Sequence, residues 1–320
     1  MVARLPSWRP FGQIFYVPGL PLPNFAIGSI LHWEILKRPA STNTRTGHSP
    51  CSSIFFVNLS PEQSTPKYLP MFVSTIAYQS HYEVRTYEID SRRRMTIPAM
   101  VRLMQEAAMQ NVIQLNLSVW DLKPEHISWV LMRKRLNIYR PPKLGQRIQV
   151  VTYPAGFERM FTFRDYKVLS EQRELLASSS STWLLMDTQS RRMAPIPKYI
   201  IELEDKMPPP GECLPRPETR LPRFEQATAA KNFEVNWHDL DFNEHLNNTL
   251  YIQWLLEPLP EAILENGGLQ QLDINYRAEC HWQDRVRAEV QPLEKEGMYL
   301  HRLVNAKDGK ELAVARTRWE

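Results

Sequence analysis

A chain that repeats itself can only adopt folds built from one unit used twice, and this chain does so. Tyr82-Glu-Val-Arg-Thr-Tyr-Glu-Ile-Asp90 matches Phe233-Glu-Val-Asn-Trp-His-Asp-Leu-Asp241 at an offset of 151, and the same offset brings Glu106 onto Glu257. Further on, Tyr139-Arg140 answers Tyr276-Arg277, and Trp183 answers Trp319. Self-similarity on this scale predicts a tandem duplication.

Hydrophobic periodicity shows what the unit is. Around His81–Asp90 the residues alternate like a strand, and then Thr96-Ile-Pro98 opens a helix with proline in its first turn. Met100, Leu103, Met104, Ala107 and Val112 form that helix's apolar stripe. Strand-like runs follow at 128–138, 147–153, 159–169 and 175–186, punctuated by Pro141-Pro142, Gly145 and Gly156. The second half repeats the order. Phe233, Val235 and Trp237 alternate with Glu234, Asn236 and His238, a helix is marked by Leu246, Tyr251, Trp254 and Leu255, and strands are predicted at 272–276, 285–291, 298–305 and 312–319. A helix plus a largely antiparallel sheet in about 110–130 residues is an α+β unit of ordinary domain size.

Between and before the units the composition changes. Residues 191–231 hold eight prolines, including Pro208–Pro210, and read as a linker with a helical turn near Tyr199–Leu203. Residues 1–70 hold ten prolines, few acids and no sustained period, which predicts a disordered leader over 1–80. Such a leader fits either a targeting peptide or a start assigned too early, with Met71 as the alternative start. The expected layout is therefore 1–80 leader, 81–190 first unit, 191–231 linker and 232–320 second unit.

Charge follows the same partition. Residues 1–80 carry six Lys/Arg against two acids, which accounts for the whole net charge of +4; residues 81–320 balance at 33 against 33. The body therefore offers no overall basicity for nucleic acid. No apolar run reaches 18 residues, so no membrane span is expected. Cys51, Cys213 and Cys280 show neither CxxC nor paired spacing, which predicts free thiols in a reducing compartment and no zinc site.

The halves differ where chemistry could reside. After the matched Asp90 and Asp241, the first half continues Ser91-Arg92-Arg93-Arg94 and the second Phe242-Asn243-Glu244-His245. Only the second unit places a carboxylate, an amide and an imidazole within five residues, just ahead of a helix whose unpaired N–H groups attract negative charge. Asp and Asn also favour helix caps, but one cap would suffice. A second candidate, Tyr276-Arg-Ala-Glu279-Cys280, ends a predicted strand in the same half; a thiolate there would need His245 nearby to lower its pKa. There is no Gly-rich phosphate loop and no clustered ligand set, so neither cofactor nor metal is expected.

Asp239-Leu-Asp-Phe-Asn-Glu-His-Leu-Asn-Asn248, then Tyr251-Ile252 and Trp254, with Tyr276-Arg-Ala-Glu-Cys280 downstream, resembles the acyl-ACP thioesterases of plant plastids and their bacterial relatives. The likeness spans residues 82–320. It implies a tandem hotdog, each unit a long helix wrapped by an antiparallel sheet, which hydrolyses the thioester between a fatty acyl chain and acyl carrier protein (ACP). It also implies that the second unit is catalytic, through Asp241, Asn243, His245 and Glu279, with Cys280 the less favoured nucleophile. The first unit would hold the acyl tail along its Met-rich helix, at Met100, Met104 and Ala108. Two departures, Ala278 for the family's usual Arg and Phe242 for Val or Met, affect fine tuning.

For the acidic carrier protein the basic clusters are Arg92–Arg94, Arg133–Arg135 and Arg191-Arg192; the first is favoured, because by the repeat it occupies the loop that carries the catalytic triplet in the second unit. An acyl-CoA thioesterase, a hotdog dehydratase and a non-catalytic acyl-thioester binder are the alternatives. The expected setting is a bacterial cytoplasm, or a plastid stroma if the leader is a transit peptide, and homodimerisation is compatible with either.

Overall fold

The computed structural model describes residues 74–320. The disordered-leader expectation for 1–73, together with Met71 as a start, lies outside the described residues. The leader boundary at residue 80 moves, because the first strand, β1, already runs Tyr78–Glu83, and Asn111 donates its side-chain N–H to the Ile76 carbonyl.

The first half continues with α1 (Ile97–Gln114), a short α2 (Val119–Leu122), β2 (Ile127–Ile138), β3 (Arg147–Glu158), β4 (Phe161–Ser170) and β5 (Leu175–Asp187). Thr96 caps α1 by accepting from the Ala99 N–H, and proline stands in its first turn, as the sequence pattern requires. The connection to the second half contains β6 (Met193–Ala194) and α3 (Lys198–Ile201). The second half follows with β7 (Ala229–Glu234), α4 (Asn248–Leu256), α5 (Glu261–Asn266), β8 (Leu269–Tyr276), β9 (Arg285–Pro292), β10 (Met298–Asn305) and β11 (Glu311–Trp319). Among the described residues no helix is long and apolar enough to cross a membrane.

The strands form one antiparallel sheet in the order β1-β3-β4-β5-β2-β8-β11-β10-β9-β7, with β6 on the edge of β5. Read from the β2–β8 pair outward, the two arms have the same order, β5-β4-β3-β1 against β11-β10-β9-β7. The repeat in the sequence is thus a repeat in topology, fused through the register Arg133↔Asn275 to Asn137↔Gln271. Helices α1 and α4 pack beside each other over this sheet, with Met104, Ala107, Ile252, Leu255, Leu272 and Ile274 among the buried residues of the shared core. Burying such side chains is the main favourable term, at about 1.5–3 kcal/mol each.

Details recur as well. Trp183 Nε1 donates to Ser181 Oγ at 2.8 Å, and Trp319 Nε1 to Thr317 Oγ1 at 2.8 Å. Arg140 pairs with Glu174, and Arg277 pairs with Glu311. Several sequence-based strand limits shift by more than one residue, among them the start of β8, at Leu269 rather than residue 272. Gly156 does not end β3, because its φ of +120° carries the strand through a bulge between Pro154 and Phe157, and Arg159, at φ +56°, belongs to the turn before β4 rather than to the strand. The proline-rich stretch is docked rather than loose: Met207 and Phe224 are buried, the Leu214 N–H donates to Asp165 Oδ2 at 2.8 Å, and Glu218 pairs with Arg316 at 2.6 Å.

Candidate active site

The stretch between β7 and α4 folds as the sequence comparison of the halves predicts. Asp241 Oδ1 accepts the backbone N–H of Asn243 at 2.8 Å and of His245 at 3.3 Å, and the Asp241 N–H donates to the His245 carbonyl at 2.7 Å. In the first half Asp90 does the same: its Oδ1 accepts from the N–H groups of Arg92 and Arg94, both at 2.9 Å, and its own N–H donates to the Arg94 carbonyl. Arg93 and Glu244 occupy the same left-handed corner, at φ +59° and +63°. One side-chain turn therefore builds both loops. The difference is the second carboxylate oxygen: on Asp90 it is held by Arg94, whereas His245 replaces that arginine in the other half.

This loop does not cap the helix. Asn247 caps α4, its Oδ1 accepting from Thr249 N–H at 3.0 Å, which leaves Asn243 and His245 free of that task. Across the loop, Glu279 Oε2 lies 3.6 Å from His245 Nε2 and also accepts from Arg191. His281 stands edge-on to His245, with ring centroids 5.1 Å apart. Asp241, Asn243, His245 and Glu279 all line one cavity of about 640 Å³, together with Tyr251 and Tyr276 from α4 and β8. Tyr251 donates to the Ala278 carbonyl at 3.0 Å, and burial pushes both tyrosines well above their usual range, so they remain neutral hydroxyls.

Several expected residues sit elsewhere. Cys280 is fully buried, does not line the cavity, and its thiol is pushed up to about 12 by burial, with Asp284 adding to the effect. It is no thiolate at neutral pH. Ala108 lines the cavity, but Met100 and Met104 do not. They are 1% and 0% exposed in the core, because the stripe that made them conspicuous is the face α1 turns to the sheet. Arg92–Arg94 line no part of the cavity either. Arg92 donates to the carbonyls of Asn266 and Gly267 at the end of α5, and Arg94 pairs with Asp90, so two of the three guanidinium groups are engaged in the fold.

Of the cavity or rim residues, His281 and Arg164 escaped the sequence reading, and Lys134 and Arg191 entered it only as members of basic clusters weighed for the carrier protein. Arg191 lies in the supposed linker, 88 residues from Glu279, and only folding brings them together. Donor atoms of His245, Glu279 and His281 lie within 4.8 Å of one another, a grouping with metal-ligand chemistry that the spacing in sequence does not display.

Comparison with known proteins fits this geometry. Residues 75–203 match the acyl-ACP thioesterase N-terminal domain, and residues 223–320 match the C-terminal domain. A 12:0-ACP thioesterase from Umbellularia californica superposes with a TM-score of 0.68 over 78% of this chain and 99% of its own, at 22% identity. An acyl-ACP thioesterase from Bacteroides thetaiotaomicron gives 0.66 over 77% and 98%, at 17% identity. Among curated proteins, a chloroplastic acyl-[acyl-carrier-protein] hydrolase of Cuphea viscosissima is 27% identical over 258 residues, covering 76% of this chain and 63% of that protein. A chloroplastic palmitoyl-acyl carrier protein thioesterase of Cuphea hookeriana is 27% identical over 259 residues, covering 76% and 62%. The chain therefore spans less than two-thirds of the length of these two curated Cuphea relatives. In fold the molecule is a tandem hotdog, two helix-and-sheet units fused through β2 and β8. It belongs to the acyl-ACP thioesterase family.

Proposed function

We propose that this protein hydrolyses the thioester of acyl-ACP, releasing a free fatty acid and the carrier protein. The observation that carries the proposal is the continuity of one cavity from the polar group Asp241, Asn243, His245 and Glu279 into a stretch beside α1 where Val101, Ala108 and Met109 supply apolar wall. Such a shape suits a thioester at the polar end and an alkyl chain within.

In this reading Glu279 accepts the proton of the attacking water, and His245, 3.6 Å from it, orients that water and protonates the departing thiolate. The developing oxyanion is stabilised by the Asn243 side chain and by the start of α4. Among the described residues, the amides of Thr249 and Leu250 bond to Asn247, so the Asn248 N–H is the helix donor left for it. Asp241 holds the loop that presents Asn243 and His245. Arg191, by donating to Glu279, fixes the position of that carboxylate at the rim.

Release of free thiol from matched acyl-ACP and acyl-CoA tests the proposal. Turnover of both with strong preference for ACP is expected, with His245→Ala lowering it by roughly a hundredfold or more. Binding without turnover would establish an acyl-thioester carrier instead, and equal turnover of acyl-CoA would remove the carrier protein from the recognition. The chloroplastic relatives support the plastid reading of the leader over the cytoplasmic one; import of a fluorescent fusion carrying residues 1–73 decides between them.

A further inference from the structure

The interior of the cavity contains two basic side chains that no carboxylate neutralises among the described residues. Lys134 on β2 and Arg164 on β4 are each directly opposite Ser181 on β5, so the three form one row across adjacent strands on the face turned toward α1. Two strand spacings separate the ends of the row, about 10 Å, and the small serine between them leaves room. Lys134 is 3% exposed and Arg164 8% exposed. Arg164 donates to Asn111 Oδ1 at 2.7 Å and to Thr152 Oγ1 at 3.2 Å, both neutral, and Lys134 Nζ lies over the Tyr166 ring at 4.3 Å. Asp165, next to Arg164, faces the opposite side of the strand, where it meets Leu214 and Arg216. Among the described residues no carboxylate pairs with either cation. Gln105 on α1 adds a buried amide oxygen without a partner to the same cavity wall.

A buried charge is costly unless it is paired, and this pair is not demanded by the fold. The second half provides the control. Its corresponding row, fixed by the matching tryptophan–hydroxyl bonds at Ser181 and Thr317, reads Leu272, Thr317 and Tyr299, with no charge at all. On the other face of β2, Arg135 has ordinary partners in Asp273 and Glu218. Within these two matching rows, the unneutralised cations thus belong to the first half, at the part of the cavity contributed by β2 and β4 and away from His245 and Glu279 in sequence.

We propose that the interior of this cavity binds an anionic group carried on the acyl chain, so that the preferred substrate is a carboxylate-ended acyl thioester rather than a plain alkyl one. The chain's carboxylate would lie between Lys134 and Arg164 while the thioester occupies the Glu279–His245 end. Burial, with Arg164 adding to it, pushes Lys134 down to about 7, so it is readily held charged once an anion arrives. The substrate assignment rests on the hydrolase reading above; the anion site does not.

The test uses the full chain with octanoyl-ACP and the ACP mono-thioester of suberic acid, the same eight carbons with and without the terminal carboxylate, extended to the six- and twelve-carbon pairs. The wild type should favour the carboxylate-ended member by roughly ten- to a hundredfold in kcat/KM at one or more lengths, the size expected of a buried charge-assisted pair. Lys134→Met should reduce the preference at least about fivefold by removing one of the two cations, whereas Lys134→Arg should retain it; thermal melting shows whether each variant is folded. A preference for the plain chain at every length, or an unchanged ratio in folded Lys134→Met, overturns the inference and leaves the hydrolase reading intact. If neither series is hydrolysed, the hydrolase reading fails, and binding of free suberate by calorimetry then decides the anion site: binding lost in Lys134→Met supports it, and no binding to the wild type overturns it.

Discussion

Asp241 is the residue whose role the repeat can isolate. Its Oδ1 holds two backbone N–H groups, those of Asn243 and His245, and each bond to a carboxylate contributes about 1.5 kcal/mol. Removing both in Asp241→Ala therefore releases about 3 kcal/mol of loop order. If all of that enters the barrier, kcat/KM falls a little over a hundredfold, since about 1.4 kcal/mol is a factor of ten. Asp241→Asn keeps an acceptor at Oδ1 with only the charge removed, so the loop persists and the loss should be roughly tenfold. Asp90→Ala deletes the same two bonds, together with the Arg94 pair, in the half that carries none of Asn243, His245 and Glu279. It should lower the melting temperature by roughly 6–12 °C while leaving kcat within about threefold. Thiol release from acyl-ACP and thermal melting on the four proteins suffice. A loss in Asp241→Asn as deep as in Asp241→Ala, with melting unchanged, would refute the positioning role and make the Asp241 carboxylate itself the proton acceptor.

Ala108→Phe projects into the cavity and should shorten the preferred acyl chain with melting near wild type, whereas Met104→Phe overpacks a fully buried position and should cost about 1–3 kcal/mol with the product profile unchanged; gas chromatography of released acids and melting curves separate the two. Cys280→Ala should leave turnover within a few-fold, and an acyl group trapped on Cys280 in mass spectrometry would contradict this. Arg92→Ser removes two bonds to the end of α5, so it should reduce stability and affect ACP and carrier-free thioesters equally, in contrast to a docking residue. His301 is buried, with Nδ1 donating to the Leu255 carbonyl at 2.8 Å and Nε2 accepting from Thr317, and burial pushes it down to about 4. The unfolded chain, titrating near 6.5, binds the proton first. Its neutral form therefore stabilises the fold fully above pH 6.5, and about 3 kcal/mol is lost as pH falls from 6.5 through 4. Chemical denaturation at pH 7 and 4.5 should show that fall, and His301→Gln should flatten it.

What was legible in the sequence is what depends on period and order. Alternation along 128–138 and 298–305 announced strands because one face is buried, and the match of Asp90 to Asp241 announced a loop built twice because a side-chain turn needs only residues two and four positions away. What depends on the third dimension was not. Arg133-Lys134-Arg135 reads as a solvated basic run, yet in a strand its middle member must face opposite to its neighbours; Arg135 faces outward to Asp273 and Glu218, and Lys134 is driven inward. The pairing of Arg191 with Glu279 spans a proline-rich stretch whose composition suggested slack chain, and no local pattern could anticipate it. Met100 and Met104 show the converse error: flexible apolar side chains suit a lipid pocket, but an apolar stripe is first of all the face a helix buries, and of the three residues expected to hold the tail only Ala108 borders the cavity. Tandem duplication sharpens each of these distinctions, since a feature present in both halves, such as the Arg140–Glu174 and Arg277–Glu311 pairs, is accounted for by the fold, and chemistry is to be sought in what one half has alone.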